Sequence, residues 1–71
     1  MRIEYDPKRD FLNIEFIADE DISESVELDK IIIDYSKDRK IVAIEILDAS
    51  KRTTKGPLDL IDFSIVKEKM A

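Results

Sequence analysis

The chemistry open to this chain is carboxylate chemistry. Among its 71 residues there is no histidine and no cysteine. Imidazole general-base catalysis, thiolate nucleophiles and nearly all zinc ligation are therefore outside its repertoire. One glycine, Gly56, is too few for a phosphate-cradling loop. Ser23, Ser25, Ser36, Ser50 and Ser64 have no imidazole to activate them, and none sits in a nucleophile elbow. A neighbouring Ser–Lys pair such as Ser50 and Lys51 converges poorly when both residues sit on one turn. The best constellation that remains is Asp34, Glu45 and Asp48, with Asp38 in the turn between. With Asp34 and Glu45 on the same face of the hairpin and Asp48 just past the strand end, three carboxylates suit a hard, oxygen-seeking cation such as Ca²⁺ or Mg²⁺. Against this reading, Asp19-Glu20-Asp21 lacks the glycine of a dense calcium loop. The structural alternative gives Asp48 a capping role, Asp38 a turn-forming role and Glu45 a cross-strand lysine such as Lys30. No catalytic residue and no cofactor is assigned, and Tyr5, Phe16, Tyr35 and Phe63 read as core aromatics.

The elements that must position these carboxylates are short strands. Met1, Ile3 and Tyr5 alternate with Arg2 and Glu4, the period of a strand with one buried face. Asp6-Pro7-Lys8-Arg9-Asp10 is a turn, since Asp before Pro initiates one and Pro fixes φ at its corner. Leu12, Ile14 and Phe16 then alternate with Asn13 and Glu15. Pairing Tyr5 with Leu12, Ile3 with Ile14 and Met1 with Phe16 gathers six apolar side chains on one face. A slip of one residue would scramble that segregation.

An acidic loop over 18–23 follows, and Val26 and Leu28 mark a short third strand. Ile31-Ile32-Ile33-Asp34-Tyr35, a turn from Ser36 to Arg39, and the aliphatic run from Ile41 to Leu47 make a further hairpin. An even-length loop puts Ile31, Ile33 and Tyr35 beside Val42, Ile44 and Ile46, a wholly apolar face expected to be core. The opposite face mixes Lys30, Asp34 and Glu45 with Ile32, Ile41, Ala43 and Leu47. Those four apolar residues are too many for a bare solvent face, so they form the candidate interaction face, covered by the C-terminal segment or a second copy. Asp48 is suited to cap a turn through Lys51, and Pro57 suits the start of a helical turn through Leu60. Residues 58–70 then read either as a turn followed by a strand carrying Ile61, Phe63 and Ile65, or as one helix.

Charge sorts the partners. Seventeen acids against twelve bases give −5. Asp19, Glu20, Asp21, Glu24, Glu27 and Asp29 fall together with no base among them. Such an edge repels phosphate and suits a basic partner, or else keeps an edge strand solvated and unaggregated. The basic node Lys51, Arg52 and Lys55 has no interleaved aromatics, so no nucleic acid is expected. No apolar run approaches the ~20 residues of a membrane span, and Arg2, Glu4 and Asp6 interrupt anything resembling a signal peptide. A cytoplasmic location is the expectation. A chain this short makes one domain, residues 1–71, and buries only roughly 60% of its unfolded surface, with no disulfide to assist.

Several segments taken in order resemble a known bacterial and archaeal family. They are Tyr5-Asp6-Pro7, the run from Asp10 to Phe16, Ile33-Asp34-Tyr35, and Val42-Ala43-Ile44-Glu45-Ile46-Leu47-Asp48-Ala49-Ser50. The family is the domain of unknown function numbered 2283, and the resemblance spans roughly residues 1–52. The family usually has Gly where this chain has Ala43, and often Gly in the turn at Arg39. The resemblance implies a small, mostly antiparallel sheet with minor helix. It also implies gene pairs encoding a small basic toxin-like partner, and so an antitoxin-like role.

The fold expected is α+β and mainly antiparallel β: a meander of five or six short strands with one or two short helical turns near the C-terminus. The function expected is a non-catalytic protein–protein interaction module that binds itself or a small basic protein. The alternative is a small metal- or ligand-binding protein using Asp34, Glu45 and Asp48.

Overall fold

The computed structural model describes residues 1–52 and 63–67. Among the described residues five strands, β1 (Arg2–Asp6), β2 (Phe11–Glu15), β3 (Glu24–Leu28), β4 (Ile31–Tyr35) and β5 (Ile41–Leu47), precede one short helix, α1 (Ala49–Arg52). They form a single antiparallel sheet in the order β1-β2-β5-β4-β3, with the longest strand, β5, at its centre.

Each hairpin follows from local chemistry. Asp6 closes the first turn by accepting the Lys8 and Arg9 amides at 2.9 and 3.3 Å, which sets Ile3 opposite Ile14 and Tyr5 opposite Leu12, as alternation predicts. The expected pairing of Met1 with Phe16 does not form. The Phe16 amide turns inward to the Val42 carbonyl at 2.7 Å, and the chain leaves the strand there. Leu28 faces Ile31 across a two-residue turn, Asp29-Lys30, whose φ angles of 52° and 64° are both left-handed. That is the primed turn whose twist matches the strands it joins. In the β4–β5 turn the buried Ser36 hydroxyl donates to Asp38 and accepts the Lys40 amide, so Asp38 is turn-forming as expected. A bulge at Asp34/Tyr35 shifts Tyr35 opposite Ile41, and the even-loop pairing therefore holds only for Ile31 with Ile46 and Ile33 with Ile44. Arg39 turns at φ 69°, a conformation that glycine accepts freely and that costs another residue roughly 1 kcal/mol.

The end of β5 differs from the sequence reading. Asp48 does not cap α1. It turns at φ 52° and its carboxylate pairs with Lys30. The cap comes from Asp10, forty residues away, whose carboxylate accepts the Ser50 amide at 2.9 Å and the Ser50 hydroxyl at 2.6 Å. The Tyr5 hydroxyl donates to the same carboxylate at 2.7 Å. Lys30, engaged by Asp48, is not the partner of Glu45.

Residues 63–67 hold neither helix nor strand, although Phe63 and Ile65 alternate with Ser64. Alternation makes a strand only where a neighbouring edge accepts its backbone hydrogen bonds. The expected helical turn from Pro57 to Leu60 and the rest of the 58–70 question lie outside the described residues.

Candidate functional site

The pairings sort the side chains of the sheet into two unlike faces. On one, two rows cross all five strands: Ile3, Ile14, Ile44, Ile33 and Val26, then Tyr5, Leu12, Ile46, Ile31 and Leu28. All ten are apolar or aromatic and none is charged. On the other face the corresponding rows are Glu4, Asn13, Glu45, Ile32 and Glu27, then Arg2, Glu15, Ala43, Asp34 and Ser25.

Among the described residues the apolar face is only partly buried. Of its ten members only Leu12 is buried, while Ile3, Val26 and Leu28 are 38%, 46% and 78% exposed. Ile14, Ile31, Ile33, Ile44 and Ile46 are half-buried. Of the six residues expected to be core, Val42 is buried at 4% exposure, whereas Ile31, Ile33, Tyr35, Ile44 and Ile46 are only half-buried. Among the described elements every extensive contact joins sheet neighbours, and no second layer packs over these rows. A strand pairing closes the flanks of a side chain but leaves its tip in water. Full burial of an aliphatic side chain is worth about 1.5–3 kcal/mol, so each of these isoleucines leaves part of that stabilisation unused.

One end of the polar face is closely covered. Ala43 and Asp34 are 5% and 2% exposed. The loop 16–23 lies against this end, tied by the Phe16 and Ile17 amides to the Val42 carbonyl and by the Ser23 amide to the Tyr35 carbonyl. Between loop and sheet is a concavity of about 230 Å³ lined by Asn13, Glu15, Asp19, Glu20, Asp34 and Glu45, with Ile17 and Ile22 beside them. A larger depression of about 340 Å³ lies by the first turn, against Glu4, Tyr5, Asp6, Arg9, Phe11 and Asn13.

Of the four residues proposed as an interaction face, Ala43 is buried, Ile32 and Leu47 are half-buried, and Ile41 is 42% exposed beside the bulge. Ile32 and Ala43 lie among carboxylates and amides, not in a continuous apolar patch.

Of the three carboxylates proposed as cation ligands, Asp34 and Glu45 come together and Asp48 does not. The Ser25 hydroxyl donates to Asp34 at 2.6 Å. Glu45 hydrogen-bonds Asp34, and that bond, followed by desolvation and the Asp34 charge, pushes the Glu45 carboxyl up to about 7. Asp48 is held below its ordinary range by the hydrogen bond and charge of Lys30. Among the described residues no three His, Cys, Asp or Glu side chains converge into a group that could hold a metal ion.

Sequence reasoning missed two features. In the sequence Asp10 is a turn residue, yet its carboxylate joins the first hairpin to α1 and is held low by Ser50 and then Tyr5. No local pattern marks a clamp across forty residues. The apolar face was legible as a face, but that the described elements leave it open was not.

A family model described as a protein of unknown function (DUF2283) matches residues 2–50. No curated protein and no solved structure matches the chain. No described helix is long and apolar enough to cross a membrane.

Proposed function

The chain belongs to the family of proteins of unknown function DUF2283, and from that premise we propose that it is a non-catalytic protein–protein interaction module. The observation that carries this reading is the ten-residue apolar face, wholly uncharged and left open by the described elements. Continuous apolar surface of this kind marks an interaction site in a protein that stays in water. The reading moves the binding surface from Ile32, Ile41, Ala43 and Leu47 to the opposite side of the sheet. The acidic run from Asp19 to Asp29 supports a second, electrostatic role, steering a basic partner toward the β3 edge.

Catalysis finds no support in the site chemistry. The pair Asp34–Glu45 is a carboxyl held next to a carboxylate, without a nucleophile beside it. Native mass spectrometry at micromolar concentration tests the reading, with the chain by itself and with the product of the neighbouring gene. Complexes of either kind are expected. A strict monomer that ignores that product overturns the proposal.

A further inference from the structure

We infer that the apolar face is occupied by a second copy of this chain, two sheets packing face to face in a two-fold dimer. The inference rests on the interaction-module reading and names its partner. The two five-residue rows carry no charge and, Tyr5 apart, no polar side-chain atom. An acidic or basic peptide therefore finds nothing there to pair with, and the occupant must be an apolar surface of similar breadth and twist. Among the described residues the one surface that meets this description is the face itself. A two-fold interface uses the same patch on both subunits, and two copies share one hand of twist, the condition for aligned sheets about 10 Å apart.

Size and charge agree with a dimer. Five strands spaced ~4.8 Å apart and about 17 Å long give a footprint of roughly 400 Å² per copy. With the relief of the side chains included, the pair removes on the order of 1,000 Å² from water, the threshold of a specific interface. Glu4, Glu15, Glu27, Asp34 and Glu45 all belong to the opposite face. In the sandwich these acids lie on the two outer sides, separated by more than the Debye length of about 8 Å at physiological salt. The net charge of −5 per copy thus does not oppose association.

The chain's own later residues do not fill the role where they are described. Phe63, Ile65 and Val66 are 73%, 74% and 90% exposed, so that stretch is not seated on the apolar rows.

Sedimentation equilibrium of the full chain, from one to a few hundred micromolar, reads the assembly directly. The expected mass is twice the 8.3 kDa of one chain. Ile44→Lys, at the middle of the central strand, is expected to give a monomer, while Glu27→Lys on the opposite face leaves the dimer intact. Should Ile44→Lys fail to fold, isotope-filtered NMR on a mixture of labelled and unlabelled wild-type chains supplies the answer. Intermolecular contacts among the methyls of Ile14, Ile33, Ile44 and Ile46 are expected. A monomer at every concentration overturns the inference, as do methyl contacts from Phe63 or Ile65 to Ile44 within one chain. A dimer whose intermolecular contacts lie only along the β3 edge, or a monomer that binds the neighbouring gene product, also overturns it, while leaving the interaction-module reading in place.

Discussion

The Glu45 carboxyl rests against the Asp34 carboxylate on the polar face of the sheet, and it holds its proton to about pH 7 because of that neighbour. Asp34, 2% exposed, takes a second hydrogen bond from Ser25 on β3. Three of the five strands thus meet at one buried carboxylate.

A pH dependence with an unusual direction follows. The ordinary Glu value is 4.5 and the folded value about 7, so between them the folded chain binds more protons than the unfolded one. Stability contributed by Glu45 is present below 4.5 and is lost as pH rises through 7. Glu45→Gln keeps a donor for Asp34 and removes the titration. It is expected to stabilise the protein at about pH 8 by on the order of 1–2 kcal/mol, allowing for the water that still reaches this side chain. Chemical denaturation at a series of pH values checks this, and a wild-type midpoint that climbs from about pH 5 to 8 contradicts it.

Ser25→Ala removes the hydroxyl that β3 offers to Asp34. A hydrogen bond to a charged, buried acceptor is worth about 1.5–3 kcal/mol. The loss is expected to appear as fraying of β3, a strand exposed along its whole length. Amide exchange of Val26 and Leu28 should accelerate more than that of Ile44. Equal acceleration across the sheet would show that Ser25 acts on the whole fold.

Asp10→Ala removes the acceptor of three hydrogen bonds, from Tyr5, the Ser50 amide and the Ser50 hydroxyl. The Ser50 amide is expected to exchange faster by on the order of tenfold while the sheet pairings persist. Ser50 and Tyr5 hold Asp10 below its ordinary range. The clamp is therefore in force above that range and is released as pH falls through the depressed value. Tyr5→Phe should give the smaller effect, and an unchanged Ser50 amide in Asp10→Ala refutes the clamp.

At Arg39 two opposing effects are separable. Its left-handed φ disfavours any residue but glycine by roughly 1 kcal/mol, whereas its exposed ion pair with Glu24 and its position over the Tyr35 ring each return up to about 1 kcal/mol. Arg39→Gly is expected to melt within a few degrees of wild type, and Arg39→Ala lower, since Ala keeps the strain and loses both contacts. Thermal melts of the pair decide it, and Ala equal to Gly would remove backbone strain from the account.

These particulars mark what the sequence could disclose. The period-two alternation from Ile3 to Tyr5, from Leu12 to Ile14 and from Ile31 to Ile33 fixed the pairings and separated the faces, because a strand writes its two sides directly into its order of residues. Asp34 and Glu45 were legible as neighbours for the same reason. What covers a face was not legible, since that depends on elements distant in sequence. Thus the loop 16–23 shelters Ala43 and Asp34, while Ile33 and Ile44 stay half open. Asp10 and Ser50 illustrate the same limit, as does Asp48, whose capping composition was overridden by a nearby lysine.

The strand order has a kinetic consequence. β1 with β2, and β3 through β5, are local hairpins that can form early, each from neighbours in the chain. The seam between β2 and β5 joins Asn13 to Glu45 and must close a long excursion of chain before it gains anything. Until it closes, both halves present unpaired and partly apolar strand edges. The same seam is the place where two chains that meet during folding would exchange halves, and where rapid refolding at low concentration guards against that exchange.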